Sequence, residues 1–492
     1  CRSLPSPSPL HAMSSEKNEE RRDDEEKIDG GDDDKKDKRK NDKIKDMIHD
    51  ELEDQECYHG NLLEEEANTI LPRRGDFILR MKVNSKGSRE ILATINWDGG
   101  IQNIQMKAKE GKGGGIIYSF DSKTKLSSIK ELLQKHQMGT PIHHTINDKV
   151  ECVMLLNPIA KQAWELRGEA VEKIKKLGEG AFGEVYMGKL KTRFGKAILV
   201  AIKVIKKTTN NEKATTELQK EGALMRKFNH PNVVRTYGMV IERETIMVVM
   251  ELVNGGGLND YVKKNTVSME EKGSFACDIA NGLGYIHSLA CIHRDIACRN
   301  CLIDISKKQA KVSDFGLTRK TEKYTIQPTE RIPIRWIAPE VLKSYEYTQA
   351  ADIYAFGILV WEIFADGAMP FGTASNAQIK EGIQNPASPM RPEWPNGVPE
   401  DVKNIINKCW DGEPASRPQL SEVKKTLNKY RLMCPETDKT QPPMEGNGAG
   451  SATGVGGGTK KKKEESVKRR SNASVKSKPK SKDKLGKSTR NK

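Results

Sequence analysis

A length of 492 residues leaves room for two to four domains at roughly 100–200 residues each. Hydrophobic residues form 36% of it and charged residues 31%; a chain that polar throughout would not offset the entropy of its own ordering, so a normal core must sit beside disordered stretches. The net charge of +15 is as uneven, with 15 Lys/Arg against 3 Asp/Glu in residues 459–492 and 12 against 18 in residues 1–55, which leaves +9 on the 403 residues between them; the overall basicity mostly describes a tail and says little about the folded part.

Nine irregularly spaced cysteines do not form a disulfide framework. No apolar stretch nears the ~18 residues of a membrane span, and the N-terminus has no apolar run. A soluble, reducing, cytoplasmic protein is expected. The first methionine is Met13, so residues 1–12 read as an upstream segment, and there is no Met-Gly myristoylation signal.

Residues 1–55 read as a disordered charged segment. Within it Ile44, Met47, Ile48 and Leu52 lie at i, i+3, i+4 and i+8, which predicts a short amphipathic helix leading into the next domain. Over 56–160 the pattern predicts a helix at Glu64 to Ile70 and a buried strand at Phe77 to Leu79. A hairpin follows, from Ile91–Asn96 through Trp97-Asp98-Gly99-Gly100 to Ile101–Met106. A second helix at Ser128 to His136 and a final strand at Cys152 to Leu156 complete a small α+β domain.

Cys57-Tyr58-His59-Gly60 and Gly75-Asp76-Phe77-Ile78-Leu79-Arg80 resemble an SH2 domain, a central antiparallel sheet flanked by two helices that reads phosphotyrosine. The resemblance places Arg80 as the buried arginine that binds the phosphate; a guanidinium at the end of an apolar strand needs an anionic partner and matches phosphate bidentately. A salt-bridged structural arginine is the other reading. Four positions depart from the family. Glu64 stands where the first helix usually carries an arginine, Met81-Lys82 replace the usual Glu-Ser, and Asn103 falls near a histidine position. An acid at 64 repels a dianion unless it turns away. Lys82, Ser85, Lys86 and Ser88 are candidate substitute donors.

After a linker at 161–170, residues 171–432 read strands first, at Val200–Ile205 and Ile246–Leu252. Helical spacing comes later, as in Ile353, Phe356, Leu359, Val360 and Ile363, so two lobes are expected. Gly178-Glu179-Gly180-Ala181-Phe182-Gly183 is a weak signal alone, because dinucleotide-binding folds use it too; there a helix follows, and here strand pattern does. Lys203 in Val-Ala-Ile-Lys can reach phosphate oxygens from its strand. His293-Arg294-Asp295 precedes Arg299-Asn300, and Asp314-Phe315-Gly316 follows. Phosphoryl transfer needs positioning and charge neutralisation: one carboxylate at the hydroxyl, a carboxylate and an amide for the metal, and a cation on the phosphates. Asp295, Asp314, Asn300 and Lys203 supply that set in order.

In this combination the region resembles a protein kinase domain over its full length. The resemblance implies ATP and Mg²⁺ as cofactors. It puts Gly178, Gly180 and Gly183 against the phosphates and Lys203 on them, oriented by Glu221. Leu177, Val185, Ala201 and Leu302 would surround adenine. Glu251-Leu252-Val253 would be the hinge, with Met250 as gatekeeper, and Asp295 the residue that takes the hydroxyl proton. Glu340 should pair with Arg417. Ala297, where serine/threonine kinases carry lysine, together with Arg299, Pro333 and Trp336, resembles tyrosine kinases. Tyr324 is the activation-loop phosphosite this implies, able to pair with Arg294 once phosphorylated; an ordinary loop tyrosine is the alternative. Cys298 and Cys301 read as small side chains filling the catalytic loop.

Trp97-Asp98-Gly99, Leu155-Leu156-Asn157-Pro158-Ile159 and Trp164 make the pair most similar to the Fes/Fer group of non-receptor tyrosine kinases, in a short form lacking the membrane-bending F-BAR domain. The family's SH2 domain docks on the small lobe and supports the active kinase, which is the expectation here. The expected partners are protein tyrosine substrates and phosphotyrosine peptides. A phosphotyrosine-binding scaffold with weak or absent kinase activity is the alternative. Residues 433–492 read as a disordered Gly-rich and basic tail, with Lys460–Lys463 and Lys468-Arg469-Arg470. It is a solvated tail, a contact for an anionic membrane surface (peripheral attachment), or a nuclear-import or nucleic-acid element; the lack of aromatics argues against nucleic acid.

Overall fold

The computed structural model describes residues 44–430 apart from 85–87, 112, 147–148, 181–182, 193–194, 207–211, 243–244, 328–329 and 331. The basic tail, most of the acidic N-terminal segment, and the candidate donors Ser85 and Lys86 lie outside the described residues. Helix α1 spans 44–53. Its Leu52 is fully buried in the core of the next unit, with Ile44 and Ile48 packed beside it and Met47 exposed. The disordered segment expected over 1–55 therefore does not include its last part.

The N-terminal unit continues with α2 (Glu64–Ile70), β1 (Asp76–Val83), β2 (Arg89–Trp97), β3 (Gly100–Glu110), β4 (Ile116–Ser119), α3 (Ile129–Gln137), β5 (Ile142–Ile146), β6 (Lys149–Val153) and β7 (Asn157–Pro158). Its sheet has the order β4-β3-β2-β1-β7, antiparallel except for β7, which runs parallel to β1. The β2–β3 turn has φ of 48° at Asp98 and 82° at Gly99, a two-residue connection that requires the left-handed region at both positions. Alternation sorts β1 between two cores. Phe77 and Leu79 join Ile129, Leu132 and Leu133 of α3, whereas Ile78 joins Leu62, Ala67 and Leu71 around α2. Arg80, two residues beyond Ile78, lies on the α2 face.

The strand expected at Cys152–Leu156 is corrected. Strand character ends at Val153, and β6 pairs only with β5 in a separate ribbon. The chain then crosses to the main sheet, where the backbone N–H groups of Leu156 and Asn157 both reach the Gly75 carbonyl.

The second unit begins with a sheet of order β11-β12-β10-β9-β8. Its strands are β8 (Val171–Gly180), β9 (Gly183–Lys191), β10 (Ala197–Lys206), β11 (Thr236–Ile241) and β12 (Thr245–Glu251), with helix α4 (Glu212–Met225) between β10 and β11. A mainly helical lobe follows. Helices α5 (Leu258–Lys264) and α6 (Met269–Ser288) precede the short strands β13 (Cys291–Ile292), β14 (Cys301–Asp304), β15 (Gln309–Val312), β16 (Arg319–Lys320) and β17 (Lys323–Thr325). Then come α7 (Pro339–Ser344), β18 (Glu346–Thr348) and α8 (Gln349–Phe364). Ser268 starts α6 with a capping box, its hydroxyl on the Glu271 N–H and the Glu271 carboxylate on the Ser268 N–H. Helix α8 is apolar on nearly every side and runs through the lobe's centre.

Candidate active site

Strand register builds the upper wall of the site. Lys203 on β10 lies opposite Val185 on β9, and Ala201, two residues back on the same face, lies opposite Met250 on β12. Gly178 and Val185 are partners across β8–β9, and Gly180 pairs with Gly183 at the turn. Leu177 is largely exposed, whereas Val253 is buried and Leu302 half-buried. Glu251 ends β12; its carboxylate accepts from Lys311 at 2.8 and 3.1 Å and from the Arg235 N–H at 2.8 Å, which fixes the connection between the lobes.

Lys203 is buried, and its ammonium donates to both carboxylate oxygens of Glu221 on α4, at 2.7 and 2.9 Å. The Asp314 carboxylate lies 3.4 Å from the same ammonium. Burial alone would lower the lysine's pKa, but the Glu221 and Asp314 charges outweigh it and hold the group charged. Asp314 has φ 59°, a left-handed conformation that a non-glycine residue keeps only under constraint. Phe315 supplies one, being fully buried between the rings of His293 (5.3 Å) and Phe228 (5.1 Å).

The loop between β13 and β14 carries the remaining residues. The Asn300 amide donates to the Asp295 carbonyl at 2.7 Å, and the Asn300 carbonyl accepts from both the N–H and the hydroxyl of Ser313, next to Asp314. Arg299 reaches one Asp295 carboxylate oxygen at 2.5 Å, and its guanidinium stacks 4.1 Å over the Trp336 ring. Lys203, Glu221 and Asp314 thus form one contact set, and Asp295, Arg299, Asn300 and Trp336 another, joined through Ser313. Cys298 and Cys301 are buried and burial pushes both thiols up, so neither is poised to react. Arg417 makes a two-pronged pair with Glu340 at 2.7 Å.

Tyr324 is half-buried. Its ring lies 3.8 Å from the Arg294 guanidinium, its hydroxyl donates to Glu330, and Glu330 also pairs with Arg294.

Residues 171–427, just over half of the chain, match the model of the protein tyrosine and serine/threonine kinase family. Fer-related kinase 1 of Caenorhabditis elegans is 32% identical over 388 residues, 78% of this chain and 95% of that protein. The chain belongs to the Fes/Fer-like non-receptor protein-tyrosine kinases. Human tyrosine-protein kinase Fer is 34% identical over 381 residues, 76% of this chain but 44% of Fer. The transforming protein Fps of avian sarcoma virus PRCII is 33% identical over 388 residues, 77% of this chain and 68% of Fps. The chain therefore spans less than half the length of human Fer. Kinases of this family use ATP with a divalent metal and act on proteins. Among the described residues, no helix is long and apolar enough to cross a membrane.

Two buried acids of this kinase escape motif reading. Asp352 on α8 is fully buried and accepts from the His293 N–H (2.7 Å), the Arg294 N–H (2.9 Å) and the His287 ring (3.0 Å). It thereby holds Arg294 at φ 73°. Glu362, ten residues on, accepts from the Cys298 N–H at 3.0 Å and the Trp336 indole at 2.8 Å, both on one oxygen. The available signal was an acid inside an apolar helical run, where a charge must find donors.

In the N-terminal unit Arg80 is 2% exposed. Its Nε donates to Thr94 at 2.8 Å, and one terminal nitrogen donates to Asn103 at 2.9 Å and Glu64 at 3.0 Å. Glu64 does not turn away; it faces Arg80 and also lies 3.7 Å from Lys82.

Proposed function

We propose that the chain transfers the γ-phosphoryl group of ATP to tyrosine hydroxyls of proteins, in the cytoplasm. The observation that carries this is the closed Lys203–Glu221 pair with Asp314 beside it and the Asp295–Asn300 loop next in line. Lys203 would hold the α- and β-phosphates under the Gly178–Gly183 turn. Asn300 and Asp314 offer an amide oxygen and a carboxylate, hard donors that fit Mg²⁺, a metal held by few protein ligands alongside substrate phosphates. ATP supplies the phosphoryl group, and the metal neutralises its charge. Arg299 engages one oxygen of Asp295, which leaves the other to orient an incoming hydroxyl and take its proton. The adenine wall would be Leu177, Val185, Ala201 and Leu302, with Glu251 and Val253 at the hinge. Ala297 leaves the approach to Asp295 without a lysine, and Arg299 stacked on Trp336 supplies the cation for a phenolic acceptor. No observation favours the scaffold alternative.

We further propose that residues 56–160 form an SH2 domain that receives phosphotyrosine at Arg80, followed by a linker at 161–170 and a kinase domain at 171–432. The antiparallel sheet between α2 and α3, with a buried arginine on β1, supports this. The 433–492 tail is proposed as the contact for anionic membrane.

The decisive test incubates wild type, Lys203→Met and Asp295→Asn with magnesium, labelled ATP and a tyrosine-containing protein. Label should enter phosphotyrosine with wild type and fall by about a thousandfold or more in either variant. Label found only in phosphoserine would reject tyrosine specificity.

A further inference from the structure

The Arg80 pocket holds an ion pair that the phosphotyrosine reading does not explain. A guanidinium grips phosphate through a fork of two parallel N–H groups, either Nε with the adjacent terminal nitrogen or the two terminal nitrogens together. Both forks use the nitrogen that here donates to Glu64 and Asn103, and Nε is already committed to Thr94. No two-pronged phosphate contact forms until one of these acceptors leaves. Asn103 is held from a second side, because its Oδ1 also accepts from the Thr94 hydroxyl at 2.7 Å. The Glu64 side chain is 48% exposed on the first turn of α2. It can rotate into water without opening the core, so Glu64 is the group that yields. The helix itself cannot swing aside cheaply: Glu66, two residues on, pairs with Arg226 of the kinase lobe, and Ala67 is fully buried.

We propose that Glu64 is a resident carboxylate that fills the anion seat of Arg80, so phosphotyrosine binds only by displacing it. The seat as it stands carries two cations, Arg80 and Lys82, against one carboxylate. A phosphate dianion arriving there would meet Glu64 at contact distance. Lone phosphotyrosine is therefore discriminated against, and ligands that add contacts beside the pocket are favoured. This rests on the reading of the N-terminal unit as a phosphotyrosine binder.

The test titrates phenyl phosphate and a fluorescein-labelled phosphotyrosyl peptide, with its unphosphorylated form as blank, into full-length wild type, Glu64→Gln, Glu64→Arg and Arg80→Ala. Thermal melts establish that each variant folds. Glu64→Gln should tighten both ligands by about two- to fivefold, an ion pair's worth of competition at a half-exposed site. Glu64→Arg should tighten them further, and adding Arg80→Ala should abolish the gain. If wild type and Glu64→Gln bind equally while Arg80→Ala abolishes binding, the resident-carboxylate proposal is wrong and the pocket reading survives. If no variant binds, or Arg80→Ala changes nothing, the pocket reading fails and takes the proposal with it.

Discussion

Arg294 is a cation with one acid already in hand. Glu330 pairs with it and accepts the Tyr324 hydroxyl, and the Tyr324 ring covers the guanidinium. Burial works to raise the Glu330 pKa, but the Tyr324 and Arg294 hydrogen bonds outweigh it and hold the carboxylate ionised. Glu330 thus stands on Arg294 where a phosphate on Tyr324 would seat. A phosphate on Tyr324, at about −2 charge, would evict Glu330 and take Arg294 for itself. Glu330→Gln should accordingly lower the activity of phosphatase-treated protein by roughly tenfold and leave the Tyr324-phosphorylated form nearly unchanged. Steady-state rates of the two forms check this, and equal losses in both would refute the surrogate role. Lys203, Glu221, Asp295, Asn300 and Asp314 were legible because each sits at a fixed offset within a motif. Glu330 was not, because a lone loop acid has no spacing signature and its partners come from other segments.

Among elements, α8 holds the 293–298 backbone through Asp352 and Glu362. Burial pushes the Glu362 carboxyl up from 4.5 to about 7. Below 4.5 it is protonated in folded and unfolded chains alike and costs nothing. Between 4.5 and about 7 the unfolded chain ionises while the folded chain keeps its proton, so stability falls as pH rises. Above about 7 the folded protein carries the buried charge and the loss is complete, on the order of 3 kcal/mol. Glu362→Gln keeps an oxygen for both the Cys298 and Trp336 donors, since they share one acceptor atom. Urea unfolding should therefore show the variant gaining on wild type between pH 5 and pH 8. A constant difference across that range would contradict the shifted carboxyl. Elements with helical apolar spacing or a long apolar run, such as α3, β10 and α8, were legible from sequence. The β5–β6 ribbon and β7 were not: five- and two-residue strands carry too little alternation, and the Cys152–Leu156 run merged the end of one with the approach to the other.

Across the whole molecule, the two units share a core. Leu62, Ala67, Leu71 and Ile78 pack in one cluster with Leu218, Met225, Met239 and Ile241 of the kinase. The family resemblance implies a dock on the small lobe but not the residues that form it, because apolar residues at a dock look like any other core positions. Polar contacts set the register. The Gln219 amide on α4 donates to the Asn61 carbonyl at 2.9 Å, and Arg226, just past α4, pairs with Glu66 and lies 3.3 Å over the Trp164 ring. Helix α4 also carries Glu221, so the dock and the Lys203 pair share one rigid element. If docking supports catalysis, Arg226→Ala should lower kcat about tenfold with little change in the KM for ATP. Glu66→Ala should do the same, and the double variant should cost little beyond either single one, because each already breaks the pair. Gly60 gives an independent handle. It has φ 58°, and a Cβ there would lie 2.2 Å from the Ile241 carbonyl oxygen, so Gly60→Ala must push the units apart without touching α4. A matching fall in kcat would place the effect in the dock itself. Full activity in Gly60→Ala with a loosened interface, read by protease cleavage between residues 160 and 170, would show that the kinase works unaided and that the shared core serves stability alone.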